Sequence, residues 1–317
     1  MGFISSFIRA RKPASAAQPP DGIVRDPERL RRVAPGENIC PSDIFMKHWF
    51  STGILLAIFA VCGLAQAQPP NKKKLLFIGE VKGFQHDSVS HAMATIEKLG
   101  QQSGLWDTYL RTDTQLVTKQ KLDGNAKNLS YFDAVMFYTT GELDMNDEQK
   151  AALLSFVKDD GKGFLGTHSA TDTFYRWPDY GDLIGAYFNE HPWGQVHAEI
   201  NVEDRGFPAT RHFPDHFPIY DEIYQFEEPY SRDRVRVLMS IDPKSVDLTN
   251  KRVHRTDSDF AVTWVRQYGK GRVFYSSLGH REEIWDRPDI QQMWTEAVKW
   301  AMGITNGDAT PRPRPAN

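Results

Sequence analysis

Short apolar runs separated by helical patterns organise the chain from residue 74 onward. Residues 74–80 (KLLFIGE) form an apolar run that closes on glycine and glutamate, as is typical of a buried strand. Similar patterns predict strands at 106–111, 132–139 and 164–167 and helices at 88–101 and 146–159, the second capped by Asn146. This alternation predicts βαβ units, and therefore an α/β fold with a mainly parallel central sheet and helices on both faces.

The later part of the chain continues with strand patterns and closes on a helix. Two runs joined by Gly269-Lys270 predict a hairpin, and Pro288 opens an amphipathic helix that ends near residue 302. The strands predicted here are 196–202, 235–241, 260–268 and 271–278. The resulting domain spans residues 74–303, and the Pro/Arg-rich residues 304–317 are expected to form a disordered tail.

Met46 has the features of a second translation start inside the sequence. Met46-Lys47-His48 is a short positive start, residues 54–64 are an apolar core, and Ala65-Gln66-Ala67 is a small-x-small cleavage site, the layout of a secretory signal peptide. We therefore expect residues 1–45 to be a mis-called start or an extension, 46–67 to be removed, and the product to be periplasmic or secreted. The alternative is an uncleaved membrane anchor formed by residues 50–64.

Composition restricts the chemistry that remains after such cleavage. Residues 68–317 retain 30 of the 38 basic and 36 of the 41 acidic residues, so their net charge is about −6 with histidine neutral. No basic stripe is present, which argues against a nucleic-acid partner. Both cysteines, Cys40 and Cys62, fall before residue 68. Disulfides, thiolate metal sites and cysteine nucleophiles are therefore excluded from that part, and histidines and carboxylates must carry any chemistry.

Two histidines follow predicted strands, where parallel sheets place their sites. His86 lies in the loop after the first strand, between a glycine and a helix that Asp87 or Ser88 could cap. His168 is the middle residue of Gly-Thr-His-Ser-Ala, which has the shape of a nucleophile elbow. Such elbows present Ser or Cys in acyl-transfer enzymes, whereas a histidine there acts as acid, base or metal ligand.

Further polar residues cluster in later loops. His191 is followed by a proline and Trp193, a pattern that suits a sugar-binding pocket, because tryptophan rings stack on sugars. Trp193 could equally be a buried structural residue. Paired acids, Asp221 and Glu222, precede Tyr224, and His280 follows the last predicted strand. His212, His216 and His254 are expected to be exposed loop residues, because Pro214 prevents the first two from sharing a helix face.

A metal site is one interpretation of the histidines. Neutral imidazoles together with a carboxylate match a zinc or similar divalent site in ligand type. The candidate ligands are His86, His168, His191 and His280. Their separation in sequence follows no known spacing rule, so a metal-free, hydrogen-bonded histidine cluster remains the alternative.

The order of these motifs resembles that of the ThuA-like (trehalose utilisation) family over residues 74–303. The matching segments are KLLFIGE, GFQHDS, GTHSATDTF, LIGAYF with EHPW, DEIY, GRVFYSSLGH and a tryptophan-rich closing helix. The resemblance implies a flavodoxin-like, class I glutamine amidotransferase-like fold in which His168 stands where glutaminases hold their cysteine. It also implies a role in carbohydrate metabolism, with disaccharides or their oxidised derivatives as the substrate class.

Two functions from different classes remain open at this point. In the first, the protein is an exported enzyme acting on a glycoside or keto-sugar by hydrolysis, elimination or isomerisation, without glutaminase activity. Its catalytic residues would be His168, His86 and Glu222, and its substrate-binding residues His191, Trp193, Asp221, Tyr224 and His280. In the second, it is a non-catalytic sugar-binding domain. In both, the expected partner is a small carbohydrate, and a membrane is contacted only through an uncleaved signal segment.

Overall fold

The computed structural model describes residues 71–314, so the expectations for residues 1–45 and 46–67 lie outside the described residues. The strands are β1 (Lys73–Ile78), β2 (Trp106–Arg111), β3 (Ala134–Phe137), β4 (Gly163–Thr167), β5 (Tyr187–Glu190), β6 (Gln195–Val202), β7 (His216–Glu222), β8 (Gln225–Glu227), β9 (Arg236–Ile241), β10 (Ala261–Tyr268) and β11 (Gly271–Ser276). The helices are α1 (Ser88–Ser103), α2 (Asp147–Lys158), α3 (Pro178–Ile184), α4 (Glu282–Asp286) and α5 (Pro288–Ala301). Within 71–314, no helix is long and apolar enough to cross a membrane.

Nine strands form one sheet, in the order β2-β1-β3-β4-β11-β10-β9-β6-β7, and β5 pairs with β8 separately. The five strands from β2 to β11 are parallel, and their order is that of flavodoxin-like folds. The predicted α/β, amidotransferase-like fold class is therefore confirmed. The other strands pair antiparallel, an extension that the expectation of a mainly parallel sheet did not include.

Helices cover both faces of the sheet, as predicted. Residues of α1, α4 and α5 join one buried apolar cluster, in which the rings of Trp285 and Trp294 stack 5.6 Å apart. Residues of α2 and α3 join the cluster on the opposite face. With apolar side chains on both faces, the parallel strands are covered on each side, as such strands require.

The predicted N-terminal cap is present at one of two helices. Asn146 caps α2 as predicted, and its side chain and that of Gln149 form a reciprocal capping box. At α1 the expectation of a cap was wrong, because Asp87 makes no side-chain cap hydrogen bond. Ser88 is turned instead toward the loop after β11, where its hydroxyl donates to the Gly279 carbonyl at 2.9 Å.

The antiparallel half curls back over the parallel half. Three strands separate β7 from β11 in the sheet order, yet the Asp221 carboxylate at the end of β7 accepts hydrogen bonds from the loop that follows β11. Register irregularities between β9 and β10 accompany this curl. The curl brings the end of β7 to the carboxyl edge of the parallel strands.

The residues after α5 differ from the expectation of a disordered tail. Residues 304–314 have no regular secondary structure but lie along the domain. The indole of Trp300 donates to the Gly307 carbonyl, Arg236 pairs with Asp308, and Arg314 donates to the Asp257 carbonyl. The arginines that suggested disorder thus anchor the segment to the domain; residues 315–317 lie outside the described range.

Candidate active site

Three histidines meet at the carboxyl edge of the parallel strands. His86 lies in the loop after β1, His168 directly follows β4, and His280 lies in the loop after β11. The ring centroids of His86 and His168 are 4.7 Å apart, and each lies 5.2 Å from that of His280. Because β1, β4 and β11 run in the same direction, residues distant in sequence converge here.

The backbone around His168 has the predicted elbow shape. His168 adopts a positive φ of 43°, a conformation that non-glycine residues rarely occupy and that clusters at functional sites. Two residues earlier, a Cβ on Gly166 would lie 2.8 Å from the Ile184 side chain, so glycine is needed for the close approach of α3 to β4. The turn presents an imidazole where acyl-transfer enzymes present a nucleophile.

Hydrogen bonds fix the tautomer of His168. Its Nδ1 lies 2.7 Å from the Ser277 carbonyl, which can only accept, so the proton is on Nδ1. Burial lowers the pKa of His168 well below its usual value, which keeps the ring neutral. Nε2 is therefore an acceptor, and the Tyr224 hydroxyl donates to it at 2.8 Å.

Glu222 supplies the carboxylate of the site. Its Oε2 lies 3.1 Å from Nδ1 of His280 and 3.7 Å from Nε2 of His168. Burial alone would raise the pKa of Glu222, but the hydrogen bond to His280 and its positive charge outweigh burial and lower it. Reciprocally, burial would lower the pKa of His280, and Glu222 raises it overall. The two form a charge-assisted pair.

His86 lies in a different electrostatic environment from His280. Burial and the nearby His280 lower the pKa of His86 to about 4. Its Nδ1 is buried and has no hydrogen-bond partner. One edge of the site thus holds a neutral imidazole with a free ring nitrogen, beside an imidazole that pairs with a carboxylate.

Asp221 holds the loop of His280 in place. It is fully buried, and its oxygens accept from the backbone nitrogens of Gly279 at 2.7 Å and Arg281 at 3.1 Å. Burial raises the pKa of Asp221 to about 7, against the effect of these hydrogen bonds. The same loop is fixed from the other side, because the Gly279 carbonyl accepts from Ser88, Tyr138 and Trp285. The contacts of Asp221 are thus with this loop, and its substrate-binding role stays a prediction from the sequence.

His191 and Trp193, the two candidate site residues of the EHPW motif, make different contacts. Nδ1 of His191 lies 3.6 Å from Oε1 of Glu222, so His191 flanks the carboxylate on the side away from the other histidines. Trp193 packs edge-on against Phe260, with ring centroids 5.1 Å apart, and its indole donates to the Asp247 carbonyl. These contacts give Trp193 a packing role, the alternative to its expected place in a sugar pocket.

A cavity of about 230 Å³ opens beside the histidines, lined by Phe84, Gln85, His86, Asp87, Gln195, His280, Arg281, Glu282 and Glu283. Phe84 is 65% exposed at its mouth, an unusual position for a large apolar ring. Arg281 donates to Gln195 and Glu283 across the rim. Sequence reasoning missed Phe84, Gln195 and Arg281, although Phe84 and Arg281 are within two residues of the predicted histidines.

Four residues of the site are arranged as a metal-ligand set. One ligand atom from each of His86, His168, Glu222 and His280 can be chosen so that all lie within 4.8 Å of one another. Glu222 thus takes the place that was expected for His191. All four are buried or half-buried.

The remaining predicted surface histidines lie away from this cluster. His216 begins β7, so the expectation that it lies in a loop was wrong, but it is exposed and bonds Asn201. His212 is half-buried and bonds the Asp289 carbonyl, and His254 bonds Asn189. A larger cavity of about 650 Å³ near His216 contains no second histidine, so we assign no chemistry to it.

Comparison with known proteins agrees with this architecture. Residues 74–301 match the family described as ThuA, trehalose utilisation. A putative ThuA-like protein from Bacteroides uniformis is 22% identical with a TM-score of 0.60, over 72% of this chain and 91% of that one. Another from Parabacteroides merdae is 16% identical with a TM-score of 0.56, over 73% and 90%. None of the curated proteins matches this chain. The chain therefore belongs to the ThuA family, whose description indicates a role connected with carbohydrates.

Proposed function

We propose that this protein is an exported enzyme that acts on a keto-sugar or glycoside through histidine and carboxylate chemistry. The observation that carries the proposal is the convergence of His86, His168, His280 and Glu222 beside an open cavity. Simple sugar binding relies on neutral amides and aromatic rings, whereas this cluster concentrates groups that accept and donate protons. Such clusters in a cavity are typical of acid–base catalysis.

Within the carbohydrate class, the site favours a keto-sugar. Most glycosidases place two carboxyl groups across the scissile bond. The four-residue cluster contains one carboxylate, Glu222, and the acidic residues that line the cavity, Asp87, Glu282 and Glu283, are exposed and lie outside the cluster. A 3-keto-glycoside needs a base and an acid rather than two carboxylates, since its ketone acidifies the neighbouring C–H bond.

The proposed step is a redox-neutral elimination. His86, which lines the cavity, accepts the proton from the carbon next to the ketone, and the electrons move onto the ketone oxygen. They return to form a carbon–carbon double bond as the bond between C1 and the glycosidic oxygen breaks. The departing oxygen takes a proton from His280. Glu222, which pairs with His280, stabilises the protonated form of that ring. His168 is fully buried and held by Ser277 and Tyr224, so it positions the neighbouring rings of His86 and His280 rather than touching the substrate.

The rim suits a sugar ring. An exposed aromatic face such as Phe84 stacks on the apolar face of a pyranose, while Arg281 and Gln195 offer polar atoms to hydroxyl groups. The same features also favour the second candidate function, a non-catalytic sugar-binding module. We keep it as the alternative because Phe84 alone would serve binding as well as catalysis.

Glutaminase activity is not part of the proposal. Residues 71–314 contain no cysteine, and the elbow position is occupied by His168, whose neutral ring is committed to Ser277 and Tyr224. We therefore propose a small carbohydrate as the substrate, and no nucleic acid as partner.

Incubation with a panel of sugars tests the proposal. Purified protein is mixed with trehalose, other disaccharides and their 3-keto forms, and with glutamine, and products are followed by NMR. We expect turnover of a 3-keto-disaccharide that falls about 10²–10⁴-fold in His86→Ala, while His216→Ala retains it. Saturable binding without turnover, altered by His86→Ala only in affinity, would establish the binding module instead.

A further inference from the structure

We infer that the cluster of His86, His168, His280 and Glu222 is a binding site for one divalent transition-metal ion of the zinc type. The inference deepens the proposed function by naming a cofactor for the same site. Its evidence is the placement of ligand atoms, which is independent of any sugar. Binding can therefore be measured whether or not turnover is found.

The cluster brings several electron-rich atoms together. Nε2 of His168 bears a lone pair, because its proton is on Nδ1. Oε2 of Glu222 lies 3.7 Å from that nitrogen, and Nδ1 of His280, which would release its proton to bind an ion, lies 3.3 Å from it. Ligands of an ion bound at about 2.1 Å lie about 3–4 Å apart. The full set, within 4.8 Å, needs to contract by about 1–2 Å at its widest to reach that geometry.

His86 gives the second, independent observation. It is 8% exposed, and its Nδ1 is buried without a hydrogen-bond partner. Leaving a buried polar atom unsatisfied is unfavourable, and such atoms in folded proteins call for an explanation. Its ring lies edge-on to His168 and His280. A cation among the three rings would satisfy it.

The surrounding contacts are those that metal-binding histidines require. A ligating histidine almost always donates its other N–H to a carbonyl or carboxylate, which fixes the tautomer. His168 does so through Nδ1 to the Ser277 carbonyl at 2.7 Å. The loop of His280 is held by Asp221, and His191 flanks the outer oxygen of Glu222 at 3.6 Å.

The donor set selects the class of ion. Three imidazole nitrogens and one carboxylate oxygen suit Zn²⁺, Fe²⁺, Co²⁺ or Ni²⁺, whereas Ca²⁺ and Mg²⁺ prefer oxygen ligands. The cavity beside His86 and His280 leaves room for a substrate oxygen. An ion held by these four residues would polarise a carbonyl oxygen of the substrate.

Metal titration of the untagged chain tests the inference. The protein is stripped with a chelator, dialysed, and titrated with Zn²⁺ and Co²⁺ by calorimetry, with the bound metal quantified by elemental analysis. We expect one ion per chain, and a binding constant at least about 100-fold weaker in His86→Ala, His280→Ala and Glu222→Gln. The absorption spectrum of bound Co²⁺ should change in each of these variants.

The control is His216→Ala, which removes an exposed histidine outside the cluster and should leave affinity and stoichiometry unchanged. Circular dichroism verifies that each variant is folded, and the half-buried His280 provides a variant that least disturbs the core. No binding by the native chain, or binding equal in His280→Ala and native protein, would overturn the inference. Metal binding without sugar turnover would overturn the proposed function alone, and sugar turnover without metal binding would overturn the metal site alone.

Discussion

Individual side chains set the chemistry of this site through few, specific contacts. His168 is held by one carbonyl and one hydroxyl, and Glu222 pairs with His280. The sequence indicated His86, His168 and His280 because each follows a predicted strand, and Glu222 and Tyr224 because they stand in the matching DEIY motif. It could not assign their roles, because role depends on burial: Asp221 and Glu222 are adjacent in sequence, yet one supports a loop and the other faces the histidines.

The first prediction concerns Asp221 as a positioning residue. In Asp221→Asn, one of the two oxygens that accept from Gly279 and Arg281 becomes an N–H donor facing another donor. We expect a loss of about 1–3 kcal/mol in the free energy of unfolding and a fall in kcat larger than any change in KM, because His280 is displaced. Thermal unfolding and steady-state kinetics measure both.

The matched control is Asp107→Asn, which removes the exposed ion pairs with Lys72 and Lys74. Exposed pairs contribute about 0–1 kcal/mol, so this variant should resemble the native protein. An Asp221→Asn variant with native kcat would show that the loop does not depend on this carboxylate.

At the scale of elements, the apolar runs predicted the strands of the parallel half closely. β3 and β4 are fully buried and β1 is buried over its last four residues, so their hydrophobicity is visible without the partners. β7 was missed because Pro218 lies within it, although its residues alternate between exposed and buried as in a half-buried strand. The physical reason is its place at the sheet edge, where proline is tolerated.

The second prediction concerns the turn between β11 and α4. Gly279 has a φ of 131°, and a Cβ there would lie 3.0 Å from the Trp285 ring. We expect Gly279→Ala to lower the free energy of unfolding by about 1–3 kcal/mol and to reduce activity, since the strain falls on the loop of His280. Urea unfolding and the sugar assay provide the two readouts.

Gly104→Ala is the control for backbone strain alone. Gly104 ends α1 at a φ of 67°, and a Cβ added there would have nothing within 4 Å, so alanine meets only the left-handed backbone penalty of about 1 kcal/mol. Activity should be unchanged. Equal activity losses in both variants would refute a special role for the loop of His280.

The third prediction concerns the ion network that joins the antiparallel strands. Arg232 forms paired hydrogen bonds with Asp259 and Glu203, both largely buried. Burial alone would raise the pKa of Asp259, but Arg232 outweighs burial and lowers it. A lowered folded-state pKa contributes stability above the unfolded value of about 3.9, and that stability is lost as pH falls through the folded value.

We therefore expect Asp259→Asn to cost about 3–5 kcal/mol at neutral pH, because it leaves Arg232 partly unpaired. The difference from native protein should shrink as pH falls below about 4. Denaturant unfolding at several pH values measures it. Asp215→Asn, which removes an exposed pair with Arg205, is the control; a pH-independent loss in Asp259→Asn would contradict the account.

At the scale of the whole molecule, the site exists because the sheet curls. Glu222 and Tyr224 reach the histidines from β7, which three strands separate from β11 in the sheet order. Sequence patterns record local periodicity and carry no information about such long-range approach. The fold class followed from the alternation of elements, whereas the meeting of Glu222 with His168 required the structure.

The fourth prediction concerns the length of the native protein. The signal-like residues 46–67 predict export and cleavage after Ala67, which leaves Gln68 as the N-terminus. Mass spectrometry of protein isolated from its native cells measures the terminus, and cell fractionation measures its compartment. An intact Met1 in a cytoplasmic fraction would contradict export without affecting the proposed chemistry.

Proton exchange tests the central claim most directly. A 3-keto-disaccharide is incubated with the protein in D₂O, and deuterium entering the carbon next to the ketone is followed by NMR. We predict that native protein and His216→Ala accelerate exchange, and that His86→Ala and Glu222→Gln reduce the acceleration by about 10²-fold or more. Exchange no faster than in buffer, or equally fast in the cluster variants, would contradict acid–base chemistry at this site.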